Sequence, residues 1–308
     1  MEPIQRPIRT IFMGIFLLCL AVTAQSAILY EKVSPYSTIV VTEDEEGLRT
    51  LSFERNGARQ SVVKVDEPDH LELPYVRGML VSLAIVERPA RVLVIGLGGG
   101  TIPSFLHRHY PRATIDVVDI DPDVVEVAKA YFGFREDRRM RAHVLDGRQF
   151  IEQCDQPYDL IFLDAFSSDS IPRQLTTQQF LRAVRRALTP GGLAVANIWS
   201  RLSNPLYDAM VNTYEDVFDR LYLLDVPGAG NIILFASPRR EQIRREDLAR
   251  QVRELTREWQ VSFELDSMVR RGFGSPGPRS ASGRILEDKP EDLPAEAASP
   301  AEAASPRE

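Results

Sequence analysis

From Ile28 to about Val65 apolar and polar residues alternate, as in Thr38-Ile39-Val40-Val41-Thr42 and Ser61-Val62-Val63-Lys64-Val65. A period of two puts one face of each run on a core and the other on solvent, which predicts half-buried strands. The stretch Glu43-Asp44-Glu45-Glu46-Gly47 and the pair Asn56-Gly57 interrupt the alternation. Asn-Gly between two such runs is a strong hairpin signal. The pattern predicts a small antiparallel unit of about four strands. From Leu73 to Glu87 the apolar residues move to helical spacing, predicting one helix packed between that unit and the remainder of the chain.

A repeating alternation then begins. The strand Arg91–Leu97 precedes a helix from Thr101, and Thr114–Asp121 precedes one from Pro122. The strand Arg141–Gly147 leads into Arg148–Cys154, and Asp159–Ala165 leads into a helix over 176–192. The strand Gly192–Trp199 is followed by a helix over Asn204–Phe218. Five such units predict a doubly wound parallel sheet with helices on both faces. The ending differs: Arg220–Val226 and Asn231–Ser237, joined by Pro227-Gly228-Ala229-Gly230, form a hairpin. An α/β, Rossmann-like parallel sheet closed by an antiparallel hairpin is the layout of class I S-adenosylmethionine-dependent transferases. Arg245–Gln260 is a last amphipathic helix, its arginines a solvated face.

The two ends read differently. Arg6 and Arg9 precede an apolar run, Ile11 to Val22, followed by Thr23-Ala24-Gln25-Ser26-Ala27. That is the plan of a secretory signal peptide. The run is short against the ~20 apolar residues of a membrane span. Residues 1–27 are therefore expected to be a leader that exports the protein, to the periplasm or beyond, or an anchor holding it to a membrane through residues 11–22. After Gly272 the chain turns to Gly, Pro, Ser, Ala and Glu and ends in a short tandem repeat, so residues 263–308 are expected to be a disordered tail. The expected divisions are thus 1–27, a β unit over 28–72, a Rossmann-like unit over 73–262, and the tail. With the leader removed Cys154 is the one cysteine left, which excludes an internal disulfide and a cysteine-built zinc site; no metal is expected. Of the net charge of −7, the last twenty-two residues carry −5. No basic field points to nucleic acid.

Candidate chemistry lies at the strand ends. Gly96, Gly98 and Gly100 join the first parallel strand to its helix, whose N-terminus favours an anionic group. A loop of this kind fits a dinucleotide equally well. Asp119 ends the second strand about twenty residues on, where a carboxylate can accept both hydrogen bonds of a ribose diol. Asp146-Gly147 end the third, where an acid can accept from the adenine amino group of an S-adenosyl ligand. Asp164 ends the fourth, with Asp169 five residues later. Two carboxylates there suit binding a cationic amine and removing its proton.

The order and spacing of Ser34–Ser37, Asn56–Gln60, Asp66-Glu67, the glycine loop, Val117–Asp121, Leu145–Gly147, Tyr158–Ala165 and Pro190–Asn197 resemble the spermidine synthase (polyamine aminopropyltransferase) family, in its divergent bacterial spermidine synthase-like branch. The resemblance covers roughly residues 30 to 240. It implies that Gln60, Asp119 and Asp146 hold the nucleoside, that Tyr36, His70 and Glu72 face the amine, and that Asp169, or failing it Asp164, orients and deprotonates it. It implies decarboxylated S-adenosylmethionine as co-substrate, its aminopropyl group passing to a small polyamine such as putrescine, and a homodimer. The departures fall on the amine half. The family's loop aspartate falls on Gly99, its Tyr-His-Glu is matched to His70-Leu71-Glu72, and its Asp-Ser-Ser-Asp-Pro becomes Asp164–Pro172. Two other readings stay open: a methyltransferase using intact S-adenosylmethionine, which loss of the acid at Gly99 would favour, and an exported, catalytically inactive binder of polyamine or nucleoside.

Overall fold

The computed structural model describes residues 26–167, 170–281 and 283–292. The expected leader up to Gln25, Asp169, and the expected tail from Leu293 lie outside the described residues. Among those described, two sheets form. The first is antiparallel and runs in chain order, β1 (Ala27–Val33), β2 (Thr38–Glu43), β3 (Leu48–Ser52) and β4 (Arg59–Lys64). Val41 sits opposite Leu51, and Thr50 opposite Val62. The alternation turns Ile39, Val41, Leu51 and Val62 onto the core, all nearly inaccessible, as predicted.

The segment expected to be one helix is two: α1 (Pro74–Met79) and α2 (Ser82–Ile85). Ser82 Oγ donates to the Met79 carbonyl at 2.7 Å, an alternative to the helical ladder. Buried residues crowd every side of the break, from Met79 to Leu83. A piece so enclosed follows the packing around it. At Gly78 a Cβ would stand 3.1 Å from Val226 and 3.2 Å from Ile233, so α1 rests directly on the closing hairpin.

The second sheet contains β5 (Arg91–Ile95), β6 (Thr114–Asp119), β7 (Met140–Val144), β8 (Tyr158–Leu163), β9 (Leu188–Trp199), β10 (Arg220–Asp225), β11 (Asn231–Ser237) and β12 (Phe273–Gly274). Their order is β12-β10-β11-β9-β8-β5-β6-β7. β5 to β9 pair in parallel, and the last three strands pair antiparallel. Helices α3 (Thr101–His109), α4 (Pro122–Tyr131), α5 (Gly147–Glu152), α6 (Gln178–Arg186) and α7 (Tyr207–Val217) make the crossovers. Both faces are covered: Val92 and Val94 of β5 enter one apolar cluster, Leu93 and Ile95 the other. The winding reverses between β5 and β8, so their C-terminal ends open a crevice where such sheets bind ligands.

Two expectations are corrected. Thr189-Pro190-Gly191-Gly192 belong to β9, not to the preceding helix, which stops at Arg186. The Tyr158 N–H donates to the Ala187 carbonyl at 2.8 Å, drawing the chain into the sheet at once. Nor does structure stop at residue 262. After α8 (Arg245–Trp259), α9 (Asp266–Gly272) leads into β12, which pairs with β10, and Phe273 stacks on Tyr222 at 5.1 Å. Residues 283–292 then lie along α6 and α7, with Leu286 only 1% exposed. Composition there is poor in apolar residues, but a few well-seated side chains suffice when a finished surface receives them.

Candidate active site

A cavity of about 320 Å³ opens at the C-terminal ends of β5, β6, β7 and β8. Its floor is the glycine loop and the strand-end acids; Tyr36, Ser37, Phe53, Gln60 and Ser61 of the first sheet close it from above. Hydrogen bonds at the cavity fasten that roof. Ser61 Oγ accepts the Gly99 N–H at 2.8 Å, and Ser34 Oγ donates to Asp121 Oδ2 at 2.5 Å. Asp121 also caps α4, accepting from the Asp123 N–H at 2.9 Å. One buried carboxylate thus joins the small sheet to the wall of the site.

Gly96 has φ +96°, and a Cβ on it would fall 2.4 Å from the Asp164 carbonyl oxygen. Glycine is required because the loop lies flat on the end of β8, which brings Asp164 beside it. The loop is held from the other side by Asp119: Oδ2 accepts the Leu97 N–H at 2.9 Å and Oδ1 the Asp121 N–H at 3.0 Å. The Gly98 N–H also bears on this carboxylate, and of its four lone pairs at least one stays free for a ligand hydroxyl. Burial raises the Asp119 pKa, and the backbone N–H groups oppose that rise. Asp146 caps α5, with Oδ1 taking the N–H groups of Arg148 and Gln149 at 2.8 and 3.0 Å. Both bonds end on Oδ1, which leaves the Oδ2 lone pairs for a donor in the cavity.

Asp164 is the most perturbed acid of the cavity. Enclosed on all sides except its opening to the cavity, it is pushed up to about 7 by burial, against hydrogen bonds from Asn197 and Tyr75 that favour the anion. Asn197 Nδ2 donates to Asp164 Oδ1 at 3.0 Å, and Asn231 Nδ2 donates to Asn197 Oδ1 at 2.8 Å. The second bond fixes which way the Asn197 amide faces. The Tyr75 hydroxyl stands beside the carboxyl with the Gln60 carbonyl 3.1 Å away, so its one proton can turn to either acceptor and goes to Asp164 when that group is ionised. Burial first, then the neighbouring Asp164, holds that phenol well above its ordinary range. A carboxyl near neutrality, turned by two fixed amides, can take up or release a proton at physiological pH.

The cavity wall therefore unites Tyr36, Gln60, Gly96, Gly98, Asp119, Asp146, Gly147 and Asp164. Three expected residues stand elsewhere. Gly100 is buried and forms the N-cap of α3. His70 and Glu72 pair with each other at 3.1 Å, and Glu72 with Arg59 at 3.6 Å, outside the wall. The tyrosine that reaches the cavity from this part of the chain is Tyr75. Gly99 also faces away: a Cβ there would meet Phe132 at 2.8 Å and Ser61 at 2.9 Å. Its lack of an acid reflects packing. Sequence reading missed Tyr75, Ser61, Asn197, Asn231 and Gln174. Only Tyr75 carried a usable signal, as a polar-tipped aromatic on an otherwise apolar helical stretch. Among the described residues no group of three or more His, Cys, Asp or Glu could hold a metal ion, and no helix is long and apolar enough to cross a membrane.

Sheet order, glycine loop and strand-end acids define an α/β protein of the class I S-adenosylmethionine type, with an added N-terminal antiparallel sheet. The family model of the spermine/spermidine synthase domain matches residues 75–224. A polyamine aminopropyltransferase of Vibrio vulnificus is 38% identical over 219 residues, 69% of this chain and 72% of its own. The chain belongs to the spermine/spermidine synthase family. The human eEF1A lysine and N-terminal methyltransferase is 34% identical over 221 residues, 63% of this chain but 32% of its own; this chain spans about a third of that relative. Among solved structures, human methyltransferase-like protein 13 in complex with SAH is 30% identical, with a TM-score of 0.55, covering 68% of this chain and 98% of that one. A spermidine synthase in complex with the transition state analogue AdoDATO has a TM-score of 0.64 at 22% identity, covering 81% and 85%; that likeness bears on the fold alone.

Proposed function

We propose that the protein transfers an aminopropyl group from decarboxylated S-adenosylmethionine to a small polyamine such as putrescine. The observation that carries this reading is Asp164, a carboxyl near neutrality in the same wall as Asp119 and Asp146. In this reading Asp119 takes the ribose hydroxyls, Asp146 Oδ2 takes the adenine amino group, and Gln60 closes over the nucleoside. The sulfonium co-substrate supplies an activated carbon and a good leaving group. The chain supplies position and a proton acceptor. An aliphatic amine is protonated in water and must lose a proton to become a nucleophile. Asp164, ionised above about pH 7, accepts it, while Asn197 and Tyr75 stabilise the carboxylate. The amine lone pair then forms the new C–N bond as the C–S bond breaks, and methylthioadenosine departs with that electron pair. Positioning of the two reactants supplies most of the acceleration. Asp169, expected as the principal acid, lies outside the described residues, and the reading does not depend on it.

Purified protein incubated with putrescine and decarboxylated S-adenosylmethionine should release methylthioadenosine and spermidine in equal amounts. Release of neither, from protein that binds methylthioadenosine, counts against the proposal. A second reading, methyl transfer to an amine, draws on the 34% identity to a methyltransferase. It needs the same proton acceptor. Intact S-adenosylmethionine binding more tightly than the decarboxylated form, with SAH formed on a lysine-containing peptide, would favour it.

A further inference from the structure

Two arginines beside the cavity find their partners at the far end of the chain. Arg148 is 4% exposed, and Asp288 takes both its terminal nitrogens, at 2.7 and 2.6 Å, while Glu152 takes Nε at 2.8 Å. A guanidinium so buried needs those carboxylates, because stripping one partner from a buried pair leaves an uncompensated charge. Arg173 Nε donates to Asp292 Oδ2 at 3.0 Å, and its Nη2 donates to the Glu287 carbonyl at 2.8 Å. Just before these clamps Leu286 is buried, its N–H donating to Thr213 Oγ1 at 3.0 Å and its carbonyl accepting from the Gln178 N–H at 2.7 Å.

The places of the two arginines give the segment its meaning. Arg148 directly follows Asp146-Gly147, and its own N–H donates to Asp146 Oδ1. Arg173 opens the 3-10 turn Arg173–Leu175, of which Gln174 and Leu175, with Pro172 before them, line the cavity. Both arginines lie within the family match at 75–224, as does Glu152, whereas Asp288 and Asp292 lie outside it. One short segment therefore grips two neighbouring parts of the cavity wall through charge-assisted bonds, the strong and geometrically specific kind.

We propose that residues 283–292 are a positioning strap for the active site, Asp288 setting the Asp146-Gly147 turn and Asp292 setting the Pro172–Leu175 segment. Which substrate each end serves rests on the proposed function; the grip on two parts of the wall does not. The test uses the full chain with Asp288→Asn, Asp292→Asn and the conservative Asp288→Glu. Asp288→Asn should raise the Kd for methylthioadenosine about tenfold, roughly 1.4 kcal/mol of lost binding, with kcat changed far less. Asp292→Asn should raise KM for the amine and leave methylthioadenosine binding unchanged. Asp288→Glu should recover part of the loss. Hydrogen–deuterium exchange, which needs no substrate, should quicken over 146–152 in the first variant and over 172–175 in the second. Folded variants with wild-type exchange in those segments overturn the proposal, as does an equal increase across the whole chain, which would make the segment a general brace. Should Asp288→Asn fail to fold, Asp292→Asn and Asp288→Glu decide by the same readouts. If wild-type protein binds no adenosyl ligand, the proposed function fails while exchange still decides the strap.

Discussion

Replacing Asp164 with Asn should stabilise the protein and disable it. The carboxyl is held at about 7 in the folded chain against an ordinary value of 3.8. A group whose pKa is raised by folding contributes fully below its unfolded pKa, and that contribution is lost as pH rises through the folded one. The window here runs from about pH 4 to pH 7. The full shift, at ~1.4 kcal/mol per unit, corresponds to at most about 4 kcal/mol of stability forfeited by pH 8. Asn keeps the shape without the charge, and its amide can present its oxygen to Asn197 Nδ2. Asp164→Asn should therefore match wild type near pH 4 in chemical denaturation and exceed it at pH 8 by up to about 4 kcal/mol. Transfer should fall in the opposite direction. Loss of a general base costs roughly 10²- to 10⁴-fold in rate, while methylthioadenosine binding should hold. In the wild type kcat/KM should climb with pH up to about 7 and then level. Equal stability of the two proteins at both pH values would refute the claim that burial strains Asp164. Activity within about threefold of wild type would refute its role as proton acceptor.

Asn197→Ala removes a hydrogen bond that favours the Asp164 anion, so the acid limb of the pH–rate profile should move upward by about one unit. Asp119→Ala frees the Leu97 and Asp121 N–H groups and removes the proposed ribose acceptor; calorimetry should find methylthioadenosine binding at least about tenfold weaker. Gly99→Asp should lower the melting temperature, at a cost of about 1–3 kcal/mol for overpacking against Phe132 and Ser61, without improving amine KM. For the N-terminal segment, full-length protein should fractionate with the periplasm or membrane and a chain starting at Ile28 with the cytosol; identical fractionation would refute export or anchoring.

Much of the fold was legible because its determinants are local. Alternation over β2 to β4 and the βα rhythm from Arg91 onward depend on neighbours a few residues apart, and rhythm alone implies a reversal point with a ligand edge. Asp119, Asp146 and Asp164 were legible for the same reason: each ends a strand, and strand ends are visible in one dimension. The choice of residue facing the cavity was not. His70 and Tyr75 are five positions apart on one approach to α1, and only the packing of the two sheets selects Tyr75. Gly98 lines the cavity while its neighbour Gly99 points into Phe132 and Ser61, a difference of one backbone rotation. The ionisation of Asp164 depends first on its burial and then on Asn197 and Tyr75, brought from either side of it in the chain. The last described segment shows the principle most plainly. Residues 283–292 lack the apolar content to fold by themselves, and their sequence reads as tail. They are ordered because Arg148, 140 positions from Asp288, and Arg173, 119 positions from Asp292, await them on a surface already built. A sequence specifies such charges one at a time; burial makes each depend on the other, and burial exists only in the folded chain.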